Sequence, residues 1–167
     1  MNLNQFTQKS IEAVQAAQQM ASERQNQQIE QEHLLLALLE QREGLIGQLV
    51  QQSGADTAAL RQKLTAAVER LPQVSGSGAG QMYLSRSLEQ ALNEAEKIAR
   101  EMRDEYTSVE HLMLGLVAKP DDTLKALFRE CGLTKEKFLT ALREVRGNRS
   151  VTTDSPEDTY DVLKKYG

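Results

Sequence analysis

Apolar residues recur along this chain at steps of three and four, the spacing that lines one face of an α-helix. The clearest series is Leu84, Leu88, Ala91, Leu92, Ala95, Ile98, Ala99 and Met102, with mostly charged residues on the remaining positions. An earlier series, Phe6, Ala13, Val14, Ala17, Met20 and Ala21, is rich in alanine, which lets a neighbouring helix approach closely. Residues 34–39 and 112–117 are apolar almost without a break, and predict short helices wrapped on several sides.

These segments belong to one unit written twice. Glu32-His33-Leu34-Leu35-Leu36-Ala37-Leu38-Leu39 returns 78 positions later as Glu110-His111-Leu112-Met113-Leu114-Gly115-Leu116-Val117. The same ungapped shift superposes Ala13 on Ala91, Ala17 on Ala95, Ala21 on Ala99, Leu49 on Leu127, Gly54 on Gly132 and Leu64 on Leu142. Each copy reads as four helices. Thr107-Ser108-Val109-Glu110 has capping-box spacing, with Thr107 as the cap and Glu110 reaching back to it. Gly54 and Gly132 are suited to close the third helices in a left-handed conformation, and Asp56 and Thr134 to cap the fourth.

The run from Pro72 to Gly80 cannot sustain a helix and predicts a flexible surface connector. The chain therefore divides into a first repeat (1–71), a connector (72–82), a second repeat (83–147) and a polar linker with a short helix (148–167). In that last stretch Ser155-Pro156-Glu157-Asp158 supplies a cap, a first-turn proline and two acids. Tyr160, Leu163 and Tyr166 then form an apolar edge suited to docking onto sequence beyond this chain. The expected fold is all-α: eight helices in two pseudo-symmetric four-helix units that face one another across a cleft.

Composition narrows the function. Tryptophan is absent and aromatic residues make up only 4% of the 167, so the core must come from Leu, Ala, Val, Ile and Met, mostly strong helix formers. A net charge of -4 and no Lys/Arg cluster argue against a nucleic-acid surface. The single cysteine, Cys131, has no partner for a disulfide or a thiolate metal site, which is consistent with a cytoplasmic home. No window approaches 18 continuous apolar residues and the amino end lacks a signal-peptide pattern, so no membrane partner is expected.

His33 and His111, the only histidines, sit at matching points beside matching glutamates. A metal site needs three or four convergent ligands, so the expected role is a partly covered, hydrogen-bonded place in the first turn of a buried helix. A Cys131–His nucleophile pair would need a depressed thiol pKa and an orienting third group, neither visible in the sequence. No Gly-x-x-x-x-Gly-Lys-Ser/Thr loop is present to cradle phosphate, and no carboxylate pair stands out as acid and base. A binding module rather than a catalyst remains. Paired helical repeats can form a peptide groove, although a purely structural linker module would show the same periodicity.

The duplicated Glu-His-Leu motifs, the opening Met1-Asn2-Leu3-Asn4-Gln5-Phe6-Thr7 and Leu71-Pro72-Gln73-Val74 resemble the double amino-terminal repeat of Clp unfoldases. The tail from Arg149 to Gly167 is similar to the segment that joins this domain to the first ATPase module in ClpB-type disaggregases. That resemblance implies a substrate-recognition domain which binds unfolded or aggregated polypeptide. The domain would help deliver it to a homohexameric AAA+ motor acting with a DnaK-type chaperone system. It implies no cofactor in this domain, with ATP and Mg in downstream modules, and a monomeric fragment. Family residues tied to substrate handling match Thr7, Asp104 and Glu110. Leu88, Leu92 and Ile98 are candidate, partly exposed apolar contacts, while Glu94 and His111 stand where some relatives carry leucine. The alternative within the same resemblance is an adaptor-docking domain of a Clp protease unfoldase.

Overall fold

The computed structural model of the chain describes residues 3–41, 44–74 and 82–147. The predicted tail helix and most of the predicted connector lie outside the described residues. Eight α-helices follow a 3-10 turn at Leu3–Gln5, and among the described residues no strand is formed. They are α1 (Gln8–Glu23), α2 (Gln31–Glu40), α3 (Leu45–Gln52), α4 (Thr57–Glu69), α5 (Arg86–Glu101), α6 (Val109–Ala118), α7 (Asp122–Cys131) and α8 (Lys135–Arg146).

Local chemistry sets the ends. Thr7, Asp56, Ser85, Asp121 and Thr134 each accept a backbone N–H from their own helix's first turn. Gly132 ends α7 at φ +78°, and Gly54, just beyond α3, has φ +92°. Both glycines therefore occupy the left-handed region, as expected. Gln25 (φ 56°) and Arg103 (φ 61°) are also left-handed although neither is glycine, and the 78-residue shift relates them. The repeat thus preserves a conformation that L side chains adopt only at some cost.

One capping expectation is corrected. The cap of α6 is Ser108 rather than Thr107, and its reciprocal partner is His111 rather than Glu110. The box shifts by one residue because the His111 ring can accept the Ser108 N–H at 2.9 Å, which leaves the Glu110 carboxylate free for other partners. α2 begins in the same way, with Glu30 as cap and His33 as partner.

The two copies are crossed rather than merely apposed. Thr7 N–H donates to the Thr107 carbonyl, and Thr107 N–H to that of Gln5. The same shift turns this pair into Ser85 N–H to Ile29 and Ile29 N–H to Tyr83, which are also present. The segment leading into each copy's first helix therefore pairs with the segment leading into the other copy's second helix. Beyond these bridges, α4 packs on α7 and α3 on α8, with α2 against α6 at the centre. The buried apolar residues of both copies form one continuous core. The cleft expected between two facing bundles is accordingly closed, because the surfaces that would line it are buried against each other.

Asn26 donates to the carbonyls of Leu71 and Pro72, and Val74 N–H to that of Gln25. The first three residues of the predicted connector are thus pinned to the first repeat.

α5 and α6 meet through small residues. A Cβ added at Gly115 would lie 2.3 Å from the Ala91 carbonyl oxygen and 3.1 Å from the Ala95 nitrogen. Gly115→Ala must therefore push the helices apart, and an overpacked core of this kind loses about 1–3 kcal/mol. Urea unfolding should show that loss for Gly115→Ala.

Candidate functional site

Three of the predicted site residues converge on the stretch before and into α6. Thr7, capping α1, bonds Ser10, and the Ser10 hydroxyl donates to the Thr107 carbonyl at 3.0 Å. Asp104 takes a hydrogen bond from His111 Nε2 at 2.7 Å and pairs with the Arg146 guanidinium at the end of α8. Glu110 accepts from the Ser108 hydroxyl and lies 4.0 Å from Arg146. Exposure is 0% for Thr7, 8% for Asp104 and 0% for Glu110. In this conformation none of the three reaches a bound chain directly; together they hold the turn from which α6 starts.

Ser108, His111 and Asp104 stand in hydrogen-bonded sequence, an arrangement that superficially matches a nucleophile, its base and an orienting acid. Its geometry serves another purpose. His111 Nδ1 accepts the Ser108 backbone N–H, and both Ser108 and His111 are fully buried, so no substrate can approach the hydroxyl. The first repeat repeats the design with Asn26 in place of Asp104. His33 Nδ1 accepts from Glu30 N–H at 2.9 Å and Nε2 meets Asn26 Oδ1 at 2.8 Å. Burial, with Arg24 nearby, lowers the His33 pKa to about 4, so the ring is neutral and Nε2–H is the donor. Both histidines are hydrogen-bonded in the first turn of a buried helix, as expected, but they act as reciprocal cap partners and are completely buried rather than partly covered. Cys131 ends α7, with its thiol pKa raised by burial rather than depressed.

The predicted apolar contacts separate. Leu88 and Leu92 are each 2% exposed and belong to the core, so the partial exposure expected of them is not seen. Both belong to the buried face of α5 that carries Ala91 and Ala95, the residues closest to Gly115 of α6. Ile98, at 6%, lies along the floor of a groove of about 490 Å³ between α5, α6 and α8. Met102, Leu114 and Leu139 share that floor, with Lys135 and Arg143 on its rim.

Sequence reasoning missed Met102 and Leu139 as groove residues. The available signal was the repeat itself. Under the 78-residue shift Met102 matches Arg24 and Leu139 matches Arg61, so apolar residues in the second copy replace long cations in the first. The matching hollow of the first copy, about 370 Å³, is lined by Gln19, Glu23, Arg24 and Glu40 as well as Met20 and Leu36. Beside it the Arg61 guanidinium donates to the Leu39 carbonyl. The two copies share a core and differ at this surface.

The profile of the Clp repeat (R) N-terminal domain matches residues 5–131. This chain belongs to that family. It is 41% identical to the chaperone protein ClpB of Bacillus cereus over 169 aligned residues, covering 100% of this chain and 19% of the relative. It thus spans about a fifth of that chaperone's length. The Hsp104 N-terminal domain from Candida albicans superposes with a TM-score of 0.79 at 21% identity, covering 91% of this chain and 98% of that one. A complex of the ClpV N-domain with a VipB peptide superposes with a TM-score of 0.67 at 18% identity, covering 84% and 86%. Both superpositions establish the double-repeat fold. Among the described residues no helix is long and apolar enough to cross a membrane.

The first copy shows how the Asp104 cluster can be dismantled without loss of the fold, since Asn26 and Val68 stand where the second copy has Asp104 and Arg146. Arg146→Val alone leaves a buried carboxylate without its guanidinium and is expected to lower stability by about 3–5 kcal/mol. Asp104→Asn combined with Arg146→Val removes the Asp104 charge together with its guanidinium and should lose less than Arg146→Val alone, the remaining loss being that of Glu110 left without Arg146. Chemical denaturation of the single and double variants tests this.

A second prediction concerns pH. Burial, followed by the Asp121 carboxylate, raises the Glu32 pKa from 4.5 to about 8. The folded value exceeds the unfolded one, so the native state holds the extra proton and stability declines as pH rises from 4.5 through 8. The slope approaches at most about 1.4 kcal/mol per pH unit. Glu32→Gln should flatten that decline in denaturation series run across the interval in EDTA.

Proposed function

We propose that this chain is the substrate-recognition domain of an ATP-dependent protein disaggregase. It binds apolar segments of unfolded or aggregated polypeptide and helps deliver them to the hexameric AAA+ motor of its parent protein. The single observation that carries the reading is the groove between α5, α6 and α8. Its apolar floor is the one place where the second copy replaces the first copy's arginines with Met102 and Leu139. An internal duplication keeps its core because the fold requires it, whereas a groove whose floor turns apolar in one copy, while Lys135, Arg143 and Arg146 replace Thr57, Thr65 and Val68 around it, serves binding.

The kinship to ClpB chaperones supports a chaperone role, and the ClpV N-domain complex gives a precedent for peptide binding on this fold. In this reading Ile98 touches the bound segment, and Leu88 and Leu92 hold α5 in place behind it. Thr7, Asp104 and Glu110 position the start of α6, and Arg146 links their cluster to the groove it also lines. The domain needs no cofactor, while ATP and Mg serve the motor modules of the parent homohexamer, which works in the cytoplasm with a DnaK-type system.

Leu139→Arg installs in the second copy the residue that the first copy carries as Arg61. Leu139 is only half-buried on the groove floor, so the fold should tolerate the change with the thermal midpoint nearly unchanged. Fluorescence anisotropy with a permanently unfolded, apolar-rich polypeptide is expected to show a loss of at least about tenfold in affinity, the equivalent of 1.4 kcal/mol. Undiminished binding by Leu139→Arg, or equal binding to the native and unfolded forms of one test protein, would overturn the proposal.

A further inference from the structure

Glu32 is the buried acid that the repeat leaves without its partners. Its counterpart Glu110 accepts from the Ser108 hydroxyl, and its Oε2, which like that of Glu32 has no hydrogen-bond partner, has the Arg146 guanidinium 4.0 Å away. Under the 78-residue shift those two groups become Glu30 and Val68, so the first copy offers Glu32 a second acid and an aliphatic side chain instead. Glu32 is only 3% exposed, and its Oε2 is fully buried with no hydrogen-bond partner. Among the described residues no salt bridge joins Glu30, Glu32 or Asp121 to a base.

A third carboxylate completes the arrangement from the other copy. Asp121 caps α7 through Oδ1, which accepts from Leu124 N–H at 2.8 Å. Its own N–H donates to Gln31 Oε1 at 2.8 Å, and Gln31 Nε2 donates to the carbonyls of Ser87 and Lys119. Gln31 is fully buried and adjoins Glu32, so this clamp fixes the Asp121 loop against the start of α2. One carboxylate oxygen from each of Glu30, Glu32 and Asp121 lies within 4.8 Å of the others. Below about pH 8 the proton that Glu32 holds, shared with the Asp121 carboxylate, keeps these acids together; once Glu32 ionises, three carboxylates this close, one of them buried, repel unless a cation stands between them.

We propose that Glu30, Glu32 and Asp121 form a binding site for a hard divalent cation, Ca²⁺ or Mg²⁺, which ties the start of α2 to the start of α7. The donor set is all carboxylate oxygen, the chemistry of hard cations rather than of zinc or copper. Glu30 and Asp121 are half-buried, so the remaining coordination positions open to water. The cation supplies to Glu32 what Arg146 supplies to Glu110, and because its ligands come from both copies it staples the first repeat to the second. This inference does not depend on the groove or on what the groove binds.

The test is thermal unfolding of the EDTA-treated chain at about pH 8, titrated separately with CaCl₂ and MgCl₂ against NaCl of matched ionic strength. At a tenfold excess over the dissociation constant, one of the two salts is expected to raise the midpoint by about 3–6 °C. The rise should be lost in Glu32→Gln. Glu30→Gln, which changes a half-exposed residue, gives a second reading should the buried substitution unfold the chain, and it should weaken the response. Two results would overturn the site: no cation-specific rise up to about 10 mM, beyond the weakest sites of this class, or an undiminished rise in both variants.

Discussion

The crossed pairing of the two copies is the constraint on which the rest of the molecule depends. Four backbone hydrogen bonds, related in pairs by the duplication, tie each copy's lead-in segment to the segment that leads into the other's second helix. They place α2 and α6 side by side at the centre, so both helices must be apolar almost all round. A helix buried on every side has no solvent to satisfy its amino-terminal N–H groups. This explains why both begin with an acid or hydroxyl cap and a histidine at the third position, a residue whose neutral ring accepts on one nitrogen and donates from the other.

From that shared frame the copies diverge in how they treat the second ring nitrogen. The first copy gives it the neutral Asn26, whose amide goes on to bond the carbonyls after α4. The second gives it Asp104, whose remaining oxygen pairs with Arg146 at the end of α8. Each solution ties the loop before the central helix to the end of the last helix. The charged version brings a cost and a consequence: a buried carboxylate demands its guanidinium, and the arginine that answers it also lines the groove. A change in the hidden cluster therefore reaches the candidate binding surface through one side chain.

Much of the fold was legible because helix periodicity and an ungapped repeat are local signals. The alanine face of α1, the leucine runs of α2 and α6, the left-handed glycines 54 and 132 and the caps Asp56 and Thr134 all stand where their residue types indicate. The crossing of the copies was not legible, since it rests on backbone hydrogen bonds between Thr7 and Thr107 and between Ile29 and Ser85 that leave no mark in side-chain pattern. The cap of α6 was read one residue early because Thr107 and Ser108 are both competent caps, and only the ring position of His111 decides between them.

The candidate site was harder to read for a related reason. Periodicity identifies which face of α5 is buried but not where along it the burial stops: Leu88 and Leu92 are sealed in the core, while the end of α5 near Ile98 lines the groove. Met102 lies just past the last turn of α5 and Leu139 on a helix remote in sequence, so no single amphipathic pattern links them. What links them is comparison of the copies. Where both copies keep an apolar residue, as at Leu64 and Leu142, the core accounts for it. Where one copy holds an exposed arginine, Arg61, and the other a half-buried leucine, Leu139, at matching points, packing accepts either, and the choice reflects what the surface has to meet. The same logic in reverse marks Glu32, kept as an acid in a copy that has lost the hydroxyl and the guanidinium that make its counterpart stable.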